Sequence, residues 1–159
     1  MKGGVDVLAH APDNPKGIDT ALLRALIERN IALIPTLKMF ANTVTTDESY
    51  LKPIYAEVRQ FHELGGQLLF GTDVGYMTDY RTEGEFQGLQ QSGLGVQDVL
   101  RMLSTAPAQR FKVDTEVGTV AVGKRADLVV LDGDPERDIT AFARVRYTIR
   151  NGRVLYSRP

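Results

Sequence analysis

Apolar and polar residues follow two rhythms along this chain. Short apolar runs over residues 5–9, 31–35 and 67–70 read as strands, the last bounded by Gly65-Gly66 and Gly71. Such compact runs suit strands covered on both faces, as in a parallel sheet. Between them the apolar spacing turns helical. Asp19 is a plausible N-cap for a helix over 20–29, with Leu22, Leu23, Leu26 and Ile27 on one face and Asn30 at its end. Pro53, at a first-turn position, introduces a second helix over 53–64, with Ile54, Val58, Phe61 and Leu64 inward. Residues 11–17 and 42–48 read as loops. The order strand, helix, strand, helix, strand implies right-handed crossovers and a parallel sheet.

The rhythm changes downstream. Helices are predicted over 82–91, 96–104 and 107–111, with an irregular loop over 74–80 before them. From about residue 113 the chain becomes strand-rich. A strand over 128–131 is broken by Asp132-Gly133-Asp134-Pro135, and two further strands, 144–150 and 153–156, flank Asn151-Gly152, a strong two-residue hairpin signal. The expected organisation is an α/β body over 1–112 and a small β module over 113–159.

Composition narrows the function. At 159 residues the chain can bury one core but is short for a closed (β/α)8 barrel of about 250 residues. Nineteen basic residues face 20 acidic ones, which argues against a nucleic-acid-binding surface. No apolar stretch approaches the roughly 20 residues of a membrane span, and the first residues lead into a strand rather than a signal peptide, so a cytoplasmic protein is expected. With no cysteine, thiol catalysis and thiolate metal sites are excluded. No glycine-rich phosphate loop follows any strand.

The chemistry concentrates at strand ends. The carboxyl ends of parallel strands are where α/β folds place their sites. Here one run ends in His10, the next in Thr36 and the third in Asp73. An acid at such a rim is costly unless it binds something. Thr36, Met39 and Phe40 follow the middle strand, and Tyr76 and Tyr80 follow Asp73; of these, Thr36 and Tyr76 are the candidate substrate contacts. His62 is expected on an outer helix face without a role, Asp127 is expected to be structural, and Arg144, Arg146, Arg150 and Arg153 suit a solvated strand face.

Five segments carry a family resemblance. They are Val7-Leu8-Ala9-His10, Ile34-Pro35-Thr36-Leu37, Phe70-Gly71-Thr72-Asp73, Leu103-Ser104-Thr105-Ala106-Pro107-Ala108 and the stretch 118–131 that includes Gly123-Lys124-Arg125-Ala126-Asp127. Their order and spacing resemble the amidohydrolase superfamily, closest to its imidazolonepropionase-like and prolidase-like branch. The resemblance implies a partial (β/α)8 barrel, its last three strand–helix units, followed by the C-terminal part of a composite β-sandwich. It implies hydrolysis of C–N bonds in an amide, cyclic amide or peptide by one or two divalent metal ions, zinc by preference. Asp73 would be metal ligand and general base. His10 would ligate the second metal of a binuclear site, or contact substrate in a mononuclear one. The family's His-x-His pair, its fourth-strand bridging residue and its fifth-strand histidine have no counterpart here. The chain is therefore expected to be a C-terminal portion that lacks activity alone, exposes an apolar inner face that includes Leu69 and either Leu33 or Ile34, and self-associates or aggregates. The competing expectation is a non-catalytic α/β fragment acting only through association.

Overall fold

A computed structural model describes residues 3–12, 19–44 and 48–159. Most of the loop expected over 11–17, and residues 45–47 of the second loop, lie outside the described residues. The chain forms two compact units, Met1–Gly95 and Val96–Pro159.

In the first unit, β1 (Val7–Ala9) pairs in parallel with β2 (Ala32–Ile34), Leu8 lying opposite Leu33. The intervening helix α1 (Thr20–Glu28) starts as the sequence predicts, the Asp19 carboxylate accepting the Ala21 N–H at 2.9 Å. Such a cap contributes on the order of 1 kcal/mol. Leu23 and Leu26 are buried, but Leu22, expected beside them, is exposed. The inward stripe of this helix is therefore narrower than its four apolar positions suggest.

The third expected strand is reduced to a single parallel bridge, Leu33 to Leu68. Leu33 donates its N–H to the Gln67 carbonyl at 3.0 Å and accepts the Leu69 N–H at 2.9 Å. β2 is thus hydrogen-bonded on both sides, whereas 67–70 has a partner on one side only among the described residues, so its ladder stops after one repeat. Gly71 lies so close to β2 that a Cβ there would meet Ile34 Cγ2 at 2.5 Å. Leu33 and Leu69 are each 4% exposed, which corrects the expectation that they lie open.

Helix α3 (Glu48–Glu63) begins a turn earlier than predicted and carries Pro53 inside it. As the sixth residue of the helix, the proline lies beyond the first turn expected for it and withholds an N–H that an unbroken helix would bond to the carbonyl of residue 49. Ile54, Val58 and Phe61 are buried as expected, each side chain contributing roughly 1.5–3 kcal/mol. Gly65 and Gly66 then turn the chain, and a Cβ at Gly66 would collide with the Phe61 ring. Between β2 and α3 run a short helix, α2 (Leu37–Met39), and a π-helical turn, Phe40–Val44, which the sequence does not announce. Helix α4 (Glu83–Gln91) closes the unit, Phe86 stacking on Phe70 at 4.8 Å between ring centres.

The second unit opens with α5 (Val96–Leu103) and α6 (Thr105–Arg110). Its sheet has the order β3 (Leu128–Leu131), β4 (Val145–Arg150), β5 (Arg153–Ser157), all antiparallel. The hairpin turn sits where predicted, Asn151 and Gly152 taking φ of 50° and 75°. Asp127 anchors it, accepting the Asn151 N–H at 2.7 Å and pairing with Arg125. Arg144, expected on a solvated face, instead braces the turn Ile139–Ala143, its guanidinium 2.7 Å from the Asp138 carboxylate.

Candidate functional site

The strands of the first unit bring His10, Thr36 and Asp73 to the same end of the sheet. All three have left-handed backbone, with φ of 72°, 53° and 57°. This conformation costs an L-residue roughly 1–2 kcal/mol, is better tolerated by aspartate and histidine, and is a marked outlier for a β-branched residue such as threonine. Three consecutive strand ends therefore leave the sheet by the same strained turn. Strain of this kind clusters at functional sites.

The parallel ladder fixes the first two positions. His10 donates its backbone N–H to the Ile34 carbonyl at 2.8 Å, and Ala11 donates to the Pro35 carbonyl at 3.0 Å. The His10 ring then meets Thr36, Nδ1 lying 2.9 Å from Oγ1. The Thr36 hydroxyl, 2% exposed, donates to its neighbour Pro35 O at 2.8 Å. The other ring nitrogen of His10, and the half-buried carboxylate of Asp73, have no hydrogen-bond or ion-pair partner among the described residues. Two donor groups at one rim are thus left unused by the fold.

Beyond Asp73 the chain turns back, the Asp73 carbonyl accepting the Tyr76 N–H at 3.3 Å. Met77 is buried and anchors the loop, while Tyr76 and Tyr80 are each 71% exposed. Phe40, which follows the middle strand, is buried in the core.

Two residues that the sequence reading passed over tie these loops together. Lys38, 3% exposed, donates from Nζ to the carbonyls of Asp79 and Arg81 and lies 3.2 Å from the Asp79 carboxylate. Glu85, fully buried, accepts the Lys38 backbone N–H at 2.8 Å and so caps the short helix that follows Thr36. Burial pushes the Glu85 carboxyl up to about 7, the N–H groups of Lys38 and Leu37 pulling the other way. Asp79 is held well below the ordinary carboxylate range, chiefly by hydrogen bonds from Arg81 and then by Lys38. A lysine inside the apolar run 31–40, and a glutamate sharing a helical face with Phe86 and Leu89, are the sequence signals that could have exposed this clasp.

A divalent metal ion needs donors that are otherwise uncommitted, and the Asp73 carboxylate and the second nitrogen of His10 meet that condition. Catalytic zinc sites ordinarily take three protein ligands. Among the described residues no group of three His, Asp or Glu is placed to hold a metal ion.

Comparison with known proteins follows the same line. The model of the amidohydrolase family matches residues 5–155. A Xaa-Pro dipeptidase crystallised with methionine in its active site is similar over 99% of this chain and 41% of its own, at 23% identity and a TM-score of 0.80. A putative prolidase from Bifidobacterium longum shows 28% identity and a TM-score of 0.76 over 98% of this chain and 43% of its own. A prolidase complexed with N-methylphosphonate-L-proline shows 25% identity and a TM-score of 0.76, over 98% and 41%. The chain spans about two fifths of the length of these structures. No curated protein matches it. No helix among the described residues is long and apolar enough to cross a membrane.

Proposed function

The chain belongs to the amidohydrolase family, and from that premise we propose that it contributes one rim of a metal-dependent hydrolase of C–N bonds. The observation that carries this reading is the pair of uncommitted donors, the second ring nitrogen of His10 and the Asp73 carboxylate, on strained segments to either side of β2. In this reading the first unit is the closing part of a (β/α)8 barrel and the second the C-terminal part of a β-sandwich. Similarity to two prolidases favours, among amides, cyclic amides and peptides, a peptide bond to proline.

His10 and Asp73 would hold the metal, zinc by preference, together with donors from outside the described residues. A bound divalent metal lowers the pKa of a water and polarises the scissile carbonyl. Asp73 takes the proton of the attacking water and returns it to the leaving nitrogen. Tyr76, exposed just beyond Asp73, contacts the substrate side of the site. The placement of Lys38 suits it to hold that loop in register with Thr36.

A second reading is that the chain acts only by association. It is favoured by the incomplete donor set and by the open Val154, Leu155 and Tyr156 on β5. Turnover separates the two. The isolated chain with added zinc is expected to show no measurable hydrolysis of a proline dipeptide. Residues 5–155 grafted in place of the matching part of the Bifidobacterium prolidase should support hydrolysis, falling at least about 100-fold on Asp73→Asn. A graft that turns over equally well with Asp73→Asn would reject the hydrolase reading.

A further inference from the structure

The contact between His10 and Thr36 decides which nitrogen of the histidine is available. A threonine hydroxyl has one proton, and a neutral imidazole has one. Thr36 Oγ1 lies 2.8 Å from the Pro35 carbonyl oxygen and 2.9 Å from His10 Nδ1. Were the hydroxyl proton pointed at Nδ1, two oxygens bearing only lone pairs would face each other at the shorter of these distances. The arrangement that satisfies both contacts gives the hydroxyl proton to Pro35 and leaves Oγ1 to accept from Nδ1–H. Nε2 is then bare.

We propose that Thr36 is a positioning residue that locks His10 in the Nδ1–H tautomer and so presents Nε2 as the donor. Three features make the lock rigid. The histidine backbone is fixed by its bond to Ile34 O, and Thr36 is 2% exposed, so water reaches the contact only from the side of the exposed histidine. The threonine is also held in left-handed backbone, which aims its side chain across the ladder toward His10 rather than along its own strand. A histidine that ligates a metal commonly gives its other N–H to a carbonyl or carboxylate, which fixes tautomer and ring orientation. Here the hydroxyl passes that function from the Pro35 carbonyl to the ring. The sequence reading cast Thr36 as a substrate contact; with its proton committed to Pro35 and a lone pair to His10, it acts on substrate only through the histidine.

The role in catalysis rests on the hydrolase reading, but the tautomer does not. The test is a two-bond proton–nitrogen correlation spectrum of the full chain labelled with 15N-histidine. It carries His62→Gln so that one imidazole remains, and the pH is high enough to keep imidazoles neutral. The expected pattern has Nε2 far downfield as an unprotonated nitrogen and Nδ1 upfield as a protonated one. Thr36→Val, which keeps the branched shape and removes the hydroxyl, should bring the two resonances toward each other or invert them. Thr36→Ser should restore the original pattern. A wild-type spectrum showing Nε2–H would overturn the proposal, as would an unchanged spectrum in Thr36→Val. If Thr36→Val fails to fold, the wild-type and Thr36→Ser spectra still decide, because the proposal requires Nδ1–H in both. The readout involves neither metal nor turnover, so the grafted-enzyme assay can fail while this result stands, and the reverse.

Discussion

Glu57 is a carboxylate that the fold buries without compensation. It sits on the inner face of α3 beside Ile54, Val58 and Phe61, is 4% exposed, and neither oxygen has a hydrogen-bond partner among the described residues. Burial raises its pKa from 4.5 to about 7. A carboxyl that holds its proton more tightly when folded destabilises the fold as pH rises. The penalty is absent below the unfolded value, grows from about pH 4.5 to about pH 7, and is complete above that. At 1.36 kcal/mol per unit the full penalty is on the order of 3 kcal/mol, and between about pH 5 and pH 8 it grows by roughly 2.5 kcal/mol. Glu57→Gln keeps the shape and cannot ionise. In urea unfolding followed by circular dichroism, it should exceed the parent by about 1 kcal/mol near pH 5 and by about 3 kcal/mol near pH 8. Glu85 titrates in the same range and sense, but it is present in both proteins and cancels from the difference. A stability difference that stays constant across this range would refute the reasoning, because a mere packing change in the variant carries no pH dependence.

Gly71→Ala should destabilise by roughly 1–3 kcal/mol through the collision with Ile34 Cγ2, and Ile34→Ala in the same molecule should recover part of that loss. Strict additivity of the two in a double-mutant cycle would rule the collision out. Lys38→Met removes the donors that hold the carbonyls of Asp79 and Arg81, so trypsin should cut after the exposed Arg81 several-fold faster than in the parent. An unchanged digestion rate would show that the loop is held by other contacts.

Much of this arrangement was legible in the residues because it depends on local rules. The Asp19 cap, the buried stripe of α3, the Asn151-Gly152 turn and the parallel pairing of the first two strands each follow from spacing or turn chemistry. What escaped depends on register and three-dimensional neighbours. Leu22 is apolar yet exposed because the stripe of α1 is narrow. The run 67–70 is strand-like in composition, but a ladder with one partner stops after one bridge. Lys38 and Glu85 are 47 positions apart, and nothing local pairs a lysine of the short helix α2 with the carbonyls of a distant loop. The site divides the same way. His10 and Asp73 were readable as polar residues ending apolar strands, whereas the Thr36 hydroxyl required knowing that the ladder runs on to Ala11.

The left-handed turns at His10, Thr36 and Asp73 have a consequence for any search among variants of this protein. Each turn is a place where glycine relieves roughly 1–2 kcal/mol of backbone strain. A library sorted only for folding yield would therefore enrich glycine at these three positions, and asparagine at some. Its most robust members would be those that had discarded the histidine, the hydroxyl and the carboxylate together. Robustness and chemistry compete here at the same three residues, so improvement of one without loss of the other has to be sought elsewhere, as at Glu57.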